Sequence, residues 1–527
     1  MKTMNRLALF LSLAAALFTA SCGGSGSVVT PPPPVGGFTA GSLKGQYVFS
    51  MSGTDTASGA FFARIGVFAA DGNGNITMGV EDVNTPENGP QTIAYTASTY
   101  SIQADGRGNV NLTNSTGTLS FSITLLSPTQ GLIVQTDPSL VATASGNFYL
   151  QNTNSFSSGL SGNYVFDFSG LDSAAIPDSL VGQIVSPGGF SGTLSSALLD
   201  ENDNGVPSGA ETVTGNFQTD ATYGSTFGRG TLSIVVAGVT RSYAYYIVDG
   251  TRARMIEINS SALTLGDAIS QSSVPSSNTN FNGNFAFLLS GSGSQSALTR
   301  IGRFTANGAG ALTNVFADAN DGGTAAKVPD GTLSAATYSI DIANAGSGRG
   351  TITFTDSKLG TFSYVVYLSS SSGGVIQDVS KNTVADGSIQ LQTGAPFSNS
   401  SLAGDYGIVL SGLSTNSSLQ VTGEEDFVGH LNFASATSNN VTGTVDFTEF
   451  SSKQGLFTNV VVSGNGLTVG GDGTTSSGTR NSLTLTLSGN PSTTLHFVAY
   501  FVNSQTMYVA STDSDRITSG TITVQAP

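Results

Sequence analysis

Hydrophobic and polar positions alternate along most of this chain with a period of two. Tyr47, Phe49 and Met51 fall on one face of a short segment, with Val48 and Ser50 between them. Tyr164, Phe166 and Phe168 repeat the pattern, as do Phe285, Phe287 and Leu289, and then Tyr406, Ile408 and Leu410. Alternation of this kind predicts β-strands with one buried face. Turn chemistry interrupts them at short intervals, as in Asp71-Gly72-Asn73-Gly74, Glu87-Asn88-Gly89, Asp105-Gly106 and Gln130-Gly131. Such Asp-Gly and Asn-Gly pairs favour the tight turns that join antiparallel neighbours. In the first copy of the pattern the strands are expected near 46–52, 61–69, 75–83, 93–103, 108–113, 117–126, 131–136 and 146–151.

Three markers recur in one order and establish an internal repeat. The opening motif G-x-(Tyr/Phe)-x-(Phe/Ile)-x-x-S-G begins at Gly45, Gly162, Gly283 and Gly404, at spacings of 117, 121 and 121 residues. A closing motif, Gly followed five residues later by Gln, ends the copies at Gln151, Gln271, Gln392 and Gln525. Between them lies G-R-G, centred on Arg107, Arg229 and Arg349, with only Gly478-Thr479-Arg480 in the fourth copy. A period this long excludes solenoids and propeller blades, whose units run to about 20–50 residues. The expected division is a leader at 1–21, a stalk at 22–41, and four repeats at 42–151, 159–272, 280–393 and 401–526. Each repeat has the size of an ordinary domain.

The fold class is therefore all-β: four tandem antiparallel domains of about 110–125 residues, each expected to be an eight-stranded up-and-down barrel. A Gly-x-aromatic first strand opening an eight-strand meander resembles the calycin group, the lipocalins and avidins. The aromatic of that group is usually tryptophan, which this chain lacks, and the resemblance transfers no ligand-binding residue. The alternative is an immunoglobulin-like sandwich, which also uses short strands in about 100 residues.

The first residues read as an export signal. Lys2 and Arg6 precede an apolar run, Leu7–Phe18, too short to span a bilayer as a helix. Thr19-Ala20-Ser21-Cys22 then resembles a bacterial lipobox, with Thr19 where that family has Leu, Val or Ile. The resemblance implies cleavage before Cys22, lipid on that residue, and, with Gly23 following it, residence in the outer membrane or at the cell surface. The alternative is ordinary cleavage and a soluble periplasmic or extracellular protein. Residues 23–41 hold Gly, Ser and four consecutive prolines, a semi-rigid extended spacer.

Composition sharpens this picture. Charged residues make up 10% of the 527, and the 18 basic and 34 acidic residues give −16. Without Lys2 and Arg6 the balance is −18, which excludes attraction to nucleic acid or to an anionic bilayer. The one cysteine rules out a disulfide framework. Membrane contact is expected through the lipid anchor only.

Little chemistry remains. Asp200-x-Asn202-x-Asn204-Gly205 with Glu211 has the spacing of a calcium loop, but follows a strand rather than a helix, and Asp82-Val83-Asn84 and Asp318-Ala319-Asn320 lack the rest of the frame. A strand-ending turn accounts for all three copies, so no metal is assigned. The G-R-G arginines suit a bidentate anion, or a hairpin position solvated or paired with a carboxylate. His430 and His496 lie in the fourth repeat without a cysteine partner or a nucleophile elbow, and Glu424-Glu425-Asp426 reads as a solvated cluster. No cofactor motif is present. The expectation is a structural, adhesive or binding protein rather than an enzyme, with an extracellular glycan, protein or small apolar ligand as partner. The alternatives are a carrier of apolar ligands in the barrel lumens and a surface hydrolase in the fourth repeat.

Overall fold

A computed structural model describes residues 37–527 apart from short stretches, the longest of them 470–479; the other gaps are 57, 86, 97, 140–141, 260–261, 399–401, 417, 419, 436–437, 451–454 and 490–491. The leader, Cys22 and most of the stalk lie outside the described residues.

The chain folds into four antiparallel sheets, one per repeat. The first runs through Lys44–Asp55, Phe61–Asp71, Asn75–Thr85, Gly89–Tyr95 continued by Ser98–Ile102, Arg107–Thr113, Thr118–Ser127, Gln130–Gln135 and Ala142–Leu150. These lie within a few residues of the segments expected from alternation and turns. The last strand pairs with the first, Phe148 against Phe49, and the split fourth strand bridges the third and fifth. The ring of pairings is thus complete, eight strands in sequence order. The sandwich alternative, two stacked sheets, is not the fold.

Repeats two and three follow the same path with the fourth strand broken. In repeat two, Ser191–Thr193 and Ser196–Asp203 form the third strand, and the ring passes through the Leu199–Glu211 pairing. In repeat three it closes by a single bridge, Ala311 to Thr337, with Tyr338 N–H donating to Gly310 O. Repeat four is a closed barrel of eight long strands from Gly404–Thr415 to Arg516–Val524.

Backbone demands explain two of the sequence markers. The opening glycines, Gly45, Gly162, Gly283 and Gly404, all have φ between 121° and 136°, a region that side chains resist. At each closing glycine the last strand presses on the first: a Cβ on Gly146, Gly266, Gly387 or Gly520 would strike the carbonyl oxygen of Ser50, Asp167, Leu288 or Val409.

Aromatic rings fill the barrels. Tyr47 stacks on Phe68 at 5.6 Å, Phe168 on Tyr243 at 4.5 Å, Phe281 on Phe285 at 4.2 Å and Phe427 on Phe447 at 4.4 Å. Each interior also holds one arginine–carboxylate pair: Arg64–Glu81, Arg241–Asp178, Arg300–Asp378 and Arg516–Glu425.

The expectation of half-buried strands needs correction. In Lys44–Asp55 both faces are buried: Tyr47, Phe49 and Met51 point into the barrel, while Val48 joins Ile65, Val67 and Val80 against Tyr246, Ile256 and Leu265 of repeat two. Similar clusters join Val165, Val181 and Ile269 to Val365, Tyr367 and Val375, and Leu288 and Ile301 to Val498, Tyr500 and Tyr508. A fourth joins Val409 and Val428 of the last repeat to Leu126, Leu132 and Val134 of the first. The four barrels close into a ring, each packed on the one before and the one after.

Candidate functional site

The residues with the most distinctive sequence signal meet between repeats. Asp82, Asp200 and Asp318 occupy one position on the third strand of their barrels, and each receives the G-R-G arginine of the next repeat. Arg229 reaches Asp82 through Nε and Nη2 at 2.7 and 2.8 Å, and Arg349 reaches Asp200 at 2.8 and 2.7 Å. Arg480 clasps Asp318 with Nε and Nη2 both 2.8 Å from Oδ1, and Nε also 2.9 Å from Oδ2. A tyrosine facing the arginine across the ladder adds its hydroxyl: Tyr246 at 2.6 Å, Tyr367 and Tyr500 at 2.7 Å. A buried carboxylate thus meets two parallel N–H donors and one O–H, a geometry that offsets its desolvation. The same contacts raise the pKa values of Arg229 and Arg349 further, through their carboxylate partners, despite burial that acts the other way.

The asparagine two residues on completes the latch. Asn84 donates to Glu257 O and Ala262 O, Asn202 to Asp378 O and Thr383 O at 2.7 Å each, and Asn320 to Ser511 O, Asp513 O and Arg516 O. All are carbonyls of the following repeat. The closing glutamine works from the other side. Gln151 caps Phe227 O and Ile247 O, Gln271 caps Ser347 O and Leu368 O, and Gln525 caps Asp105 O and Leu125 O. In each case one carbonyl directly precedes the G-R-G motif. Gln392 donates to Phe501 O.

This geometry settles where each predicted residue goes. The G-R-G arginines are paired with carboxylates, one of the two expected readings, and are largely buried rather than solvated on hairpins. Asp200 and Asn202 of the calcium-type spacing turn to repeat three, Asn204 takes a turn at φ 53°, and Glu211 sits in a short strand beside Leu199. Those four side chains therefore do not converge on one point. Among the described residues no group of three or more His, Cys, Asp or Glu is arranged to hold a metal. His430 Nε2 lies 2.8 Å from Asp405, and His496 Nδ1 lies 2.7 Å from Asp513 on a half-exposed ring. Neither imidazole meets a hydroxyl nucleophile among the described residues. Glu424, Glu425 and Asp426, expected in a solvated loop, are buried on a strand.

Sequence reasoning passed over the partners. Asp82, Asp200 and Asp318 share a repeat position and the Asp-x-Asn spacing, which was the available signal. The four interior arginine pairs carried none, because their spacings differ from barrel to barrel.

A pocket of about 130 Å³ opens beside the third latch, lined by Asp318, Asn320, Lys327, Arg480, Ser511 and Thr512 among others. In the first interface Thr92 stands where Lys327 stands here, and its hydroxyl bonds both Asp82 and Arg229. Lys327 is exposed at the rim of this space and its charge acts on Asp318.

No protein-family pattern matches the sequence, and a comparison with curated proteins finds no relative. Two solved structures align along nearly its whole length: a mutant of the vaccine antigen Transferrin Binding Protein B from Haemophilus parasuis Hp5, at 8% identity over 98% of this chain and 100% of that one with a TM-score of 0.19, and intact Ap-TbpB with its N and C lobes, at 8% identity over 98% of both with a TM-score of 0.17. Scores this low establish no common fold, and no property of those proteins is carried over.

Proposed function

We propose that the chain is a lipid-anchored protein of the outer membrane or cell surface, in which a ring of four β-barrels on a proline-rich stalk is a rigid structural or binding platform. One observation carries this reading: the strongly polar chemistry is spent on architecture. Ten of the eleven arginines after Arg6 sit either in the interior pairs or at the repeat interfaces. Arg252 and Arg254 stack on Tyr149 across the first interface, at 4.5 and 4.7 Å. Few cations are left for a phosphate backbone, which supports the exclusion of nucleic acid. Barrels filled by stacked aromatics support a platform over a carrier with an open lumen. A binding partner, whether glycan or protein, would then meet the Ser-, Thr- and Asn-rich outer surface.

The test follows the anchor to the surface. Cells making the wild-type chain and Cys22→Ala are fed an alkyne fatty acid, fractionated, and treated intact with protease. The wild type should carry label, sediment with membranes and be shaved from whole cells. Cys22→Ala should lose label and sedimentation. Equal labelling of both would refute lipid attachment, and protection of the wild type in intact cells would refute surface display.

A further inference from the structure

The four interfaces are not equal. Three join repeats that are also linked by the chain; the fourth, between repeats four and one, has no covalent link. Its latch is depleted as well. Asp446 stands at the latch aspartate position, but Arg107 reaches Asn459 Oδ1 at 2.8 Å instead, and Asn459 N–H donates to Asp446. Thr124 takes the place of the latch tyrosine, opposite Arg107 on the ladder. Thr448 replaces the asparagine and its buried hydroxyl has no partner. Five buried apolar side chains meet here, against thirteen in the first interface. Only the glutamine, Gln525, works as Gln151 and Gln271 do.

The face that repeat four presents to repeat one differs too. At two neighbouring outward positions of the second strand, repeat one has Phe61 and Ala63, repeat two Pro177 and Ser179, and repeat three Ala297 and Thr299. Repeat four has Glu424 and Asp426. Both are fully buried: Ser145 Oγ of repeat one donates to Asp426 at 2.6 Å, Thr54 and Thr143 of repeat one face Glu424, and the two carboxyl groups bond each other.

We propose that the ring is a gate: repeats four and one part while the three latched interfaces hold, and the charge on Glu424 and Asp426 drives the parting. The strands of repeat one packed here, Thr118–Ser127, Gln130–Gln135 and Ala142–Leu150, carry no charged residue, and Lys44–Asp55, which supplies Thr54, has charges only at its ends. Within repeat four, Glu425 points into the barrel to Arg516, Asp405 pairs with His430, and Asp446 and Glu449 lie on the next strand. Among the described residues no cation therefore faces the pair. Burial pushes both carboxyl groups up, Asp426 to about 7, and the neighbouring Asp426 pushes Glu424 up further. With both protonated they share a hydrogen bond and the seam stays shut; as pH rises through about 7 Asp426 ionises first, an uncompensated negative charge enters a dry interface and the seam opens.

Four equivalent amides read the four interfaces separately. Asn152 donates to Val248 O, Ser272 to Ser369 O, Thr393 to Val502 O and Ala526 to Leu126 O. Their hydrogen exchange, resolved by residue and corrected for intrinsic rate, is compared at pH 5.5 and 8.0 in the full chain carrying Cys22→Ser. Protection of Ala526 should fall at least tenfold while the other three change less than twofold. Glu424→Gln with Asp426→Asn should abolish that fall. A parallel change at all four amides would overturn the proposal, and so would a pH-independent Ala526, which is what simple fraying of the terminus gives. Should the double variant not fold, Asp426→Asn alone must still reduce the fall. An undiminished fall in either variant would transfer the effect to His430 and Asp405 and sink the proposal.

Discussion

At the scale of single residues, the fold is governed by a handful of side chains whose partners lie in another repeat. Arg349 and Asp200 are 149 positions apart and both largely buried. Truncating one member of such a pair strands the other's charge, which costs about 3–5 kcal/mol. Arg349→Ala should therefore lower the stability of the ring by that amount in denaturant melts. Replacing both members by apolar residues, Arg349→Met with Asp200→Leu, should recover most of the loss, since no charge is then stranded. Equal losses in the single and double variants would contradict this account of the latch. Gln271→Ala leaves Ser347 O and Leu368 O without their side-chain donor and should cost about 1–3 kcal/mol. The sequence marked Arg349 and Gln271 by their periodicity, but their roles were illegible, because period-two patterning says nothing about which neighbour a side chain meets. Asp200 and Asn202 look like parts of a turn for the same reason: the guanidinium and carbonyls they serve belong to Arg349, Asp378 and Thr383.

At the scale of strands, the sequence was far more informative. Turn dipeptides and alternation located all eight strands of repeat one, because both signals are local. Two features escaped. The fourth strand is broken, Gly89–Tyr95 and then Ser98–Ile102, since one straight strand does not pair with the whole of its curving neighbour, Asn75–Thr85. The outer faces of the first and second strands also read as polar surface when residues such as Ser50 and Ser179 are buried. Small polar residues look alike at a surface and at a tight interface. The closing glycines make the sharpest prediction here. Gly266→Ala puts a methyl group into the Asp167 carbonyl, and the two strands must separate to admit it. Such overpacking costs about 1–3 kcal/mol or more, so the variant should melt several degrees lower. Gly209→Ala, where a methyl group meets open space, is the control and should leave the melting temperature unchanged.

At the scale of the whole molecule, repetition supplied the count of units, while closure into a ring had no sequence signature until the glutamine and arginine partners were known. The ring has a consequence for pH. Burial pushes Glu201, Asp386, Glu425 and Asp426 up to about 7 and Asp178 up to about 6. In the unfolded chain these groups titrate near 4. The folded state therefore holds more protons between pH 4 and 7, so stability is highest at the acid end of that window and declines as pH rises through it. The carboxylates held below their ordinary values, Asp220 and Asp341 among them, oppose this only below about pH 4. The melting temperature should be higher at pH 5.5 than at pH 8.0; a rise with pH would contradict the assignment of buried, uncompensated carboxyl groups. Repeat four docks on repeat one, so that four barrels form one compact body. Small-angle X-ray scattering of residues 37–527 at pH 5.5, where the seam is shut, distinguishes this ring from a string of domains. A closed ring predicts a radius of gyration not far above the roughly 23 Å of a compact chain of this length, with a single-peaked distance distribution. A much larger radius, with a distribution drawn out by successive barrel spacings, would mean a string of four domains and would contradict the ring.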